Sequence, residues 1–176
     1  MKLYVIRHGE TENNVLKVVQ GITDSPLTEA GIEQIKKLKE QIKLKQINYV
    51  VASPLGRTRK TAELLIDDLP INIDDRIIER NWGLCEQAKL TIVDKVNCWN
   101  YYLNIKDNAI EPVQDFIKRI QEFLWELKLK HEHDKVLLIT HSAVSRAIYF
   151  IVNGIPEDGD LTNLDIPNLS IMEYEI

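Results

Sequence analysis

Cysteine is scarce in this chain of 176 residues: Cys85 and Cys98 are the only two, and no C-x-x-C spacing joins them. Such a pair argues against a disulfide scaffold or a cysteine-bound zinc site and fits a reducing compartment. Long apolar runs are also missing. No stretch approaches the roughly 20 residues that cross a bilayer. The chain opens on a strand-like segment, not on a basic stretch leading into a long apolar one, so neither membrane insertion nor secretion is expected and the cytoplasm is the simple inference. Positive charge is not in excess: 22 Lys and Arg against 27 Asp and Glu leave a net charge of -5, with no general attraction for polyanions such as nucleic acid. Lys36, Lys37, Lys39, Lys43 and Lys45 alternate with helix-periodic apolar residues and read as a solvated helix face. Internal repeats, low-complexity tracts and linker-like stretches are absent. A hydrophobic share of 44% and a charged share of 28% are globular values, so residues 1–176 are expected to form one domain with a sizeable core.

What is present alternates strand and helix signals. The short apolar runs Leu3 to Ile6, Tyr49 to Ala52 and Val136 to Thr140 read as strands buried on both faces, as parallel sheets require. Thr28 is a good N-cap before Ile32, Ile35, Leu38 and Ile42, which predicts a helix at about 28 to 45. Ser53-Pro54 supplies a cap and an N1 proline for a helix to about Asp67 or Asp68, and Pro112 plays the same N1 role. From there Val113, Phe116, Ile117, Ile120, Phe123, Leu124 and Leu127 draw one apolar stripe to about Lys130. A further helix should follow His141. Ile71-Asn72-Ile73 is a weaker strand candidate, and 169–176 an edge strand. Together these predict a layered α/β domain. The segment from 84 to 110 is less regular, although Ile92, Val93, Val96, Trp99 and Leu103 would share one helical face. Trp99 reads as a core residue, while Tyr101 and Tyr102 fit either packing or a lid over a site.

In open α/β sheets ligands bind beyond the carboxyl ends of the strands, so the polar residues that follow each strand are the informative ones. After the first come Arg7-His8-Gly9-Glu10-Thr11 and Asn14; after the second, Ser53 to Arg57; after the third, Thr140-His141-Ser142; after the weak one, Glu79. Two arginines, two histidines and a carboxyl group thus converge on one edge. A guanidinium presents a planar fork of donors that matches phosphate oxygens, and a neutral imidazole beside it can attack phosphorus or move a proton. The other two histidines, His131 and His133, lie between helix and strand and read as a solvated turn, not as metal ligands.

Order and spacing carry a family resemblance. Arg7-His8-Gly9-Glu10-Thr11-Glu12-Asn13-Asn14, Gln20-Gly21, Asp24-Ser25-Pro26-Leu27-Thr28 to Gly31 and Gln34, and Ser53-Pro54-Leu55-Gly56-Arg57-Thr58 to Thr61-Ala62 resemble the histidine phosphatase superfamily, the phosphoglycerate mutase-like proteins. Glu79 with Gly83 and Glu86, Thr140-His141, and Asn168 before Ser170-Ile171 extend the likeness to almost the whole chain. It implies a three-layer α/β/α sandwich with a mostly parallel central sheet. It also implies that His8 is a nucleophile that becomes phosphohistidine, that Arg7, Arg57 and His141 form a phosphate pocket, and that Glu79 gives a proton to the leaving oxygen. Asn14, Gln20, Gly21 and Ser142 would add substrate contacts. Asn13, Cys85, Gln87 and Ser142 depart from residues common in the family, and none of them removes a catalytic group.

The implied activity is a metal-independent phosphatase acting on a small phosphorylated metabolite, with no cofactor, no nucleic acid and no membrane partner. Two alternatives stand beside it. One is a cofactor-dependent phosphoglycerate mutase, against which the short chain argues; the other is a noncatalytic phosphate-ligand binding module. Oligomeric state is not legible, since neither a heptad seam nor a long apolar edge declares an interface.

Overall fold

A computed structural model describes residues 1–93, 95–107 and 109–176. The apolar runs form strands β1 (Lys2–Arg7), β2 (Tyr49–Ala52) and β4 (Lys135–Thr140), the weaker candidate forms β3 (Ile71–Ile73), and β5 (Ile171–Glu175) closes one edge. The sheet order is β3-β2-β4-β1-β5, with every pairing parallel except β1 with β5. Side chains alternate between the two faces of a strand. Leu3, Val5, Val51, Val136 and Leu138 therefore pack on one side against helices α5 (Val113–Lys130) and α6 (Ser142–Asn153). Tyr4, Ile6, Val50, Ala52, Leu137 and Ile139 pack on the other against Ile35 and Ile42 of α2 (Glu29–Leu44) and Ala62 and Leu65 of α3 (Gly56–Leu65). The result is the expected α/β/α sandwich.

The connections make a crevice. Chain leaving β1 goes on to α2 and β2 on one side of the sheet, whereas chain leaving β4 enters α6 on the opposite side, yet β1 and β4 are neighbours. Diverging connections between adjacent parallel strands form a topological switch point. Register sharpens it: Arg7 is paired with Thr140, so His8 and His141 leave the sheet side by side.

Several local expectations need correction. Ser53 does not cap α3. The helix begins at Gly56 after Leu55, which makes no side-chain cap bond, because the Ser53 hydroxyl is engaged 2.7 Å from His141 Nε2. The distant Asp24 carboxylate accepts from the Gly56 amide instead, at 2.6 Å. The helix ends at Leu65, two or three residues early, as Ile66 turns extended. Pro112 is the N-cap of α5, one position before the expected N1. The 84 to 110 segment is not one long amphipathic helix. It holds short turns at Gly83–Cys85 and Leu90–Ile92 and a single turn of helix, α4 (Lys95–Cys98). Of the five residues placed on one face, Trp99 is buried, Val96 and Leu103 are exposed, and the Ile92 side chain lies outside the described residues.

Trp99 is packed edge-on against Phe116 and Trp82. The fully buried Arg80 guanidinium lies 4.8 Å from the Trp99 ring centroid and 5.0 Å from that of Trp82, and donates to the carbonyls of Cys98 and Glu111. This cation ties the irregular segment to the core through the aromatic faces. His131 stacks on Tyr49 and bonds the Asp134 carboxylate at 2.8 Å, so it is a packed residue and not a solvated one.

The start of α2 touches the loop after β1. A β-carbon at Gly31 would lie 2.5 Å from the Glu10 carbonyl oxygen, a backbone atom that cannot swing aside. Helix propensity alone favours alanine over glycine by about 1 kcal/mol, but overpacking against fixed backbone costs roughly 1 to 3 kcal/mol. Gly31→Ala is therefore expected to lower the thermal midpoint; a rise would show that α2 docks less tightly than described.

Candidate active site

The residues that follow the strands line one cavity of about 500 Å³. Arg7, His8 and Arg57 lie on its wall together with Glu79, Asn14, Gln20, Gly21 and Ser142. His141 is fully buried directly behind, its ring centroid 5.3 Å from that of His8, and does not itself line the space. Among the described residues, Tyr101 and Tyr102 are not on the wall, whereas Trp82 and Trp99 are, so the aromatics on the cavity are tryptophans and not a tyrosine lid.

Hydrogen bonds fix the tautomer of His8. Its Nδ1 is 2.7 Å from the Gly9 carbonyl, which only accepts, so Nδ1 carries the proton. Nε2 then holds the lone pair and accepts from Arg57 Nε at 3.3 Å. Burial holds His8 well below the ordinary imidazole range, and the Arg57 and Arg7 charges push it further down. His141 is lowered well below its usual value for the same reasons, burial first and then Arg57. At neutral pH both rings are uncharged. One is an available base or nucleophile, and the other has a buried Nδ1 with no partner. A buried polar nitrogen left unpaired is costly, and a polar ligand atom reaching it would satisfy it.

The two arginines are held by backbone. Arg7 Nη1 donates to the Ile166 carbonyl at 2.6 Å, and its buried Nε has no partner. Arg57, at the first turn of α3, donates to the carbonyls of Gly21 and Thr23 at 2.8 and 2.9 Å and to Asp24 at 3.1 Å. Carbonyls orient a guanidinium without neutralising it, so most of the cationic field stays directed at the cavity. Glu79 opposes it. Burial raises its carboxyl above the usual range even though the Arg80 and Ala143 amides donate to it and both arginines favour its ionised form.

Several supports hold these groups in place, and of them Arg119 was not singled out by sequence reasoning. Arg119 of α5 donates to the carbonyls of Arg76, Ile78 and Glu79 and pairs with Glu111, which fastens the stretch that presents Glu79. Thr61 accepts from the Gly9 amide. The Asn168 amide donates to the carbonyls of His8 and Gly9 and to Asn14, while Asn14 completes a capping box with Thr11 that starts α1 (Glu12–Leu16). Gln20 accepts from the Thr11 hydroxyl and so serves the same loop. Glu86 had a signal, its place in the Glu79 to Gly83 spacing. Its carboxylate accepts from the amides of Ile22, Thr23 and Trp82 and from the Thr23 hydroxyl. Gly21 lies at φ +56°, and a β-carbon there would overlap that carboxylate, so glycine is favoured on two counts. Among the described residues no cluster of three or more His, Cys, Asp or Glu has metal-binding geometry.

Comparison with known proteins places the chain in a family and a fold. The family described as Histidine phosphatase superfamily (branch 1) matches residues 3–176. The chain is 32% identical over 183 aligned positions to the protein named Probable phosphoglycerate mutase GpmB of Proteus mirabilis, covering 99% of this chain and 85% of that one. Among solved structures, Bacillus stearothermophilus YhfR superposes with a TM-score of 0.86 at 26% identity over 98% of this chain and 89% of that chain. The α-ribazole phosphatase of Shigella flexneri superposes with a TM-score of 0.74 at 30% identity, over 89% and 81%.

The Glu86 clamp generates a test. Glu86→Ala frees the loop whose carbonyls orient Arg57. Removing a partly exposed negative charge would by itself strengthen anion binding slightly, a screened effect of under about 1 kcal/mol. Losing several charge-assisted bonds, each worth about 1.5 to 3 kcal/mol, outweighs it. Inorganic phosphate is expected to bind about tenfold more weakly; unchanged or tighter binding by calorimetry would refute the clamp.

Proposed function

The chain belongs to the histidine phosphatase superfamily (branch 1), and on that premise we propose that it hydrolyses a small phosphomonoester through a phosphohistidine on His8. The observation that carries this reading is the hydrogen-bonding of His8. Nδ1 donates its hydrogen bond to a carbonyl, which leaves an uncharged Nε2 with its lone pair beside Arg57 on the cavity wall. That nitrogen attacks phosphorus, and the ester P–O bond breaks. Arg7 and Arg57 take the equatorial oxygens, while the free Nδ1 of His141 donates to one of them. Ser53 holds the opposite nitrogen of the His141 ring and so fixes its direction. Preorganised donors of this kind supply the largest stabilising share where charge redistributes in the transition state.

An alkoxide leaves poorly, so it takes the Glu79 proton as it departs. The resulting carboxylate accepts a proton from water, whose oxygen attacks the phosphoryl group as the P–N bond breaks. His8 and protonated Glu79 are regenerated and phosphate is released. Side chains and water complete the cycle, so the proposal includes no metal and no cofactor.

The name of the Proteus mirabilis relative favours a second reading, phosphoglycerate mutase activity, in which the phosphoryl group would be held from water and returned to another hydroxyl. Free phosphate measured beside isomer formation from 3-phosphoglycerate separates the two. Phosphate release without isomerisation is expected, and rapid interconversion with little free phosphate would replace the phosphatase reading. A module that only binds phosphate ligands needs no proton donor, and the buried, protonatable Glu79 speaks against it.

Brief incubation with labelled substrate and an alkaline quench is expected to leave label on the chain, and His8→Ala should lose both label and turnover. Full turnover in His8→Ala would end the phosphohistidine assignment. The acid limb of activity follows protonation of His8, which is lowered, so it lies below the ordinary imidazole range near 6.5. The alkaline limb follows loss of the Glu79 proton, which is raised, so it lies above the usual carboxylate range. Glu79→Gln should remove that alkaline limb and lower kcat/KM, which reads phosphoryl transfer to His8 and not the later hydrolysis, by roughly 10²- to 10⁴-fold on alkyl phosphates, and much less on p-nitrophenyl phosphate, whose leaving group needs no proton. An equal loss on both substrates would remove Glu79 as the acid.

A further inference from the structure

We infer that Ser53 is a positioning residue of the phosphate pocket: its hydroxyl donates to Nε2 of His141 and so fixes the hydrogen of that ring on Nδ1, the nitrogen left for an oxygen of the ligand. The use made of that hydrogen rests on the phosphatase reading; its place on the ring does not.

Both side chains are fully buried, so each polar hydrogen between them needs a partner within the protein or the ligand. A serine hydroxyl carries one hydrogen, and so does an uncharged imidazole. Among the described residues the Ser53 hydroxyl has one partner, His141 Nε2 at 2.7 Å, and His141 Nδ1 has none. Two arrangements are then open to an uncharged ring. With its hydrogen on Nε2, the ring donates to the hydroxyl oxygen, the hydroxyl hydrogen is left without an acceptor and the Nδ1 lone pair without a donor. With its hydrogen on Nδ1, the ring accepts from the hydroxyl at Nε2, and only the Nδ1 hydrogen lacks a partner. The second arrangement strands one buried group where the first strands two, and each stranded group is costly. A charged ring would strand the hydroxyl hydrogen as well as Nδ1, and burial together with the Arg57 charge opposes it.

A tetrahedral anion completes the second arrangement. Oxygens that carry no proton only accept, so a hydrogen on Nδ1 forms a charge-assisted bond to them, whereas a lone pair there would repel them. Backbone holds Ser53 to this role. Ser53 follows β2 and His141 follows the adjacent β4, with Ala52 in register with Ile139. The Ser53 amide donates to the Ile139 carbonyl at 3.0 Å, and the Thr58 hydroxyl donates to the Ser53 carbonyl at 2.9 Å, so the residue is held on both sides of its side chain.

Nitrogen-15 NMR of histidine-labelled protein without ligand reads the ring directly, with His141→Asn assigning its signals among the four histidines. At neutral pH the wild-type chain is expected to show His141 uncharged with its hydrogen on Nδ1, and this spectrum decides the tautomer whether or not a variant folds. In Ser53→Ala, with folding checked by circular dichroism, the hydrogen should no longer be confined to Nδ1. Sulfate, titrated by calorimetry, should then bind about tenfold more weakly than to the wild type. A wild-type ring with hydrogen on Nε2 or on both nitrogens would overturn the inference, as would a folded Ser53→Ala protein that keeps the hydrogen wholly on Nδ1 or binds sulfate as tightly as the wild type. None of these readouts needs turnover. A chain that gives the expected spectra but neither labels on His8 nor releases phosphate would end the phosphatase reading and leave the Ser53 assignment standing.

Discussion

Two guanidinium groups held beside two buried imidazoles are the constraint on which the site depends. Burial of a cation is unfavourable, and here it is met by backbone carbonyls from Gly21, Thr23 and Ile166 with a single ion pair, Arg57 to Asp24. That choice of partner matters. Carboxylates on every donor would have cancelled the field, whereas carbonyls satisfy hydrogen bonds and leave positive potential in the hollow. Burial first, and that potential second, keep His8 and His141 neutral and leave the lone pair on Nε2 available.

The scaffold turns this constraint into geometry over long chain separations. Ser53 from the end of β2 reaches His141 from the end of β4, and Asn168 near the chain end fastens the loop that carries His8. Arg119 on α5 secures the stretch bearing Glu79, and Glu86 secures the loop bearing Gly21 and Thr23. None of these side chains needs to touch a phosphate. Each removes freedom from a group that would, and a positioned charge loses less on binding than a mobile one. The irregular segment between Glu79 and α5 contributes differently: anchored by Arg80 between two tryptophans, it supplies Trp82, Leu90, Val93 and Trp99 to the cavity wall.

Much of the fold was legible because strands β1, β2 and β4 are continuous apolar runs and because Thr28 and the stripe from Val113 to Leu127 mark α2 and α5 without ambiguity. The failures share a physical reason. Ser53 carries a local capping signal, but the His141 ring, 88 positions away, competes for its hydroxyl, and Asp24 takes over the cap from outside the helix. The 84 to 110 segment has helical spacing at Val96, Trp99 and Leu103, yet only Trp99 finds a core to enter, so the apolar period never organises a single helix. His131 looked like part of a polar turn until Tyr49 offered it a ring to stack on.

At the site, Arg7, His8, Arg57, Glu79 and His141 were identifiable from sequence because each follows a strand and the sheet's handed, parallel construction sends all strand ends to one edge. Residue type and position after a strand are local properties, and the chain alone determines them, along with the alternation that sets three layers. Tertiary structure decided the rest: that Arg7 pairs with Thr140 and so brings the two imidazoles together, that His141 stands behind the wall with its Nδ1 unpartnered, that carbonyls with the one acid Asp24 hold Arg7 and Arg57, and that carbonyls also hold Arg146. Those facts depend on which distant atoms come within hydrogen-bonding reach, a quantity that no local pattern of residues encodes.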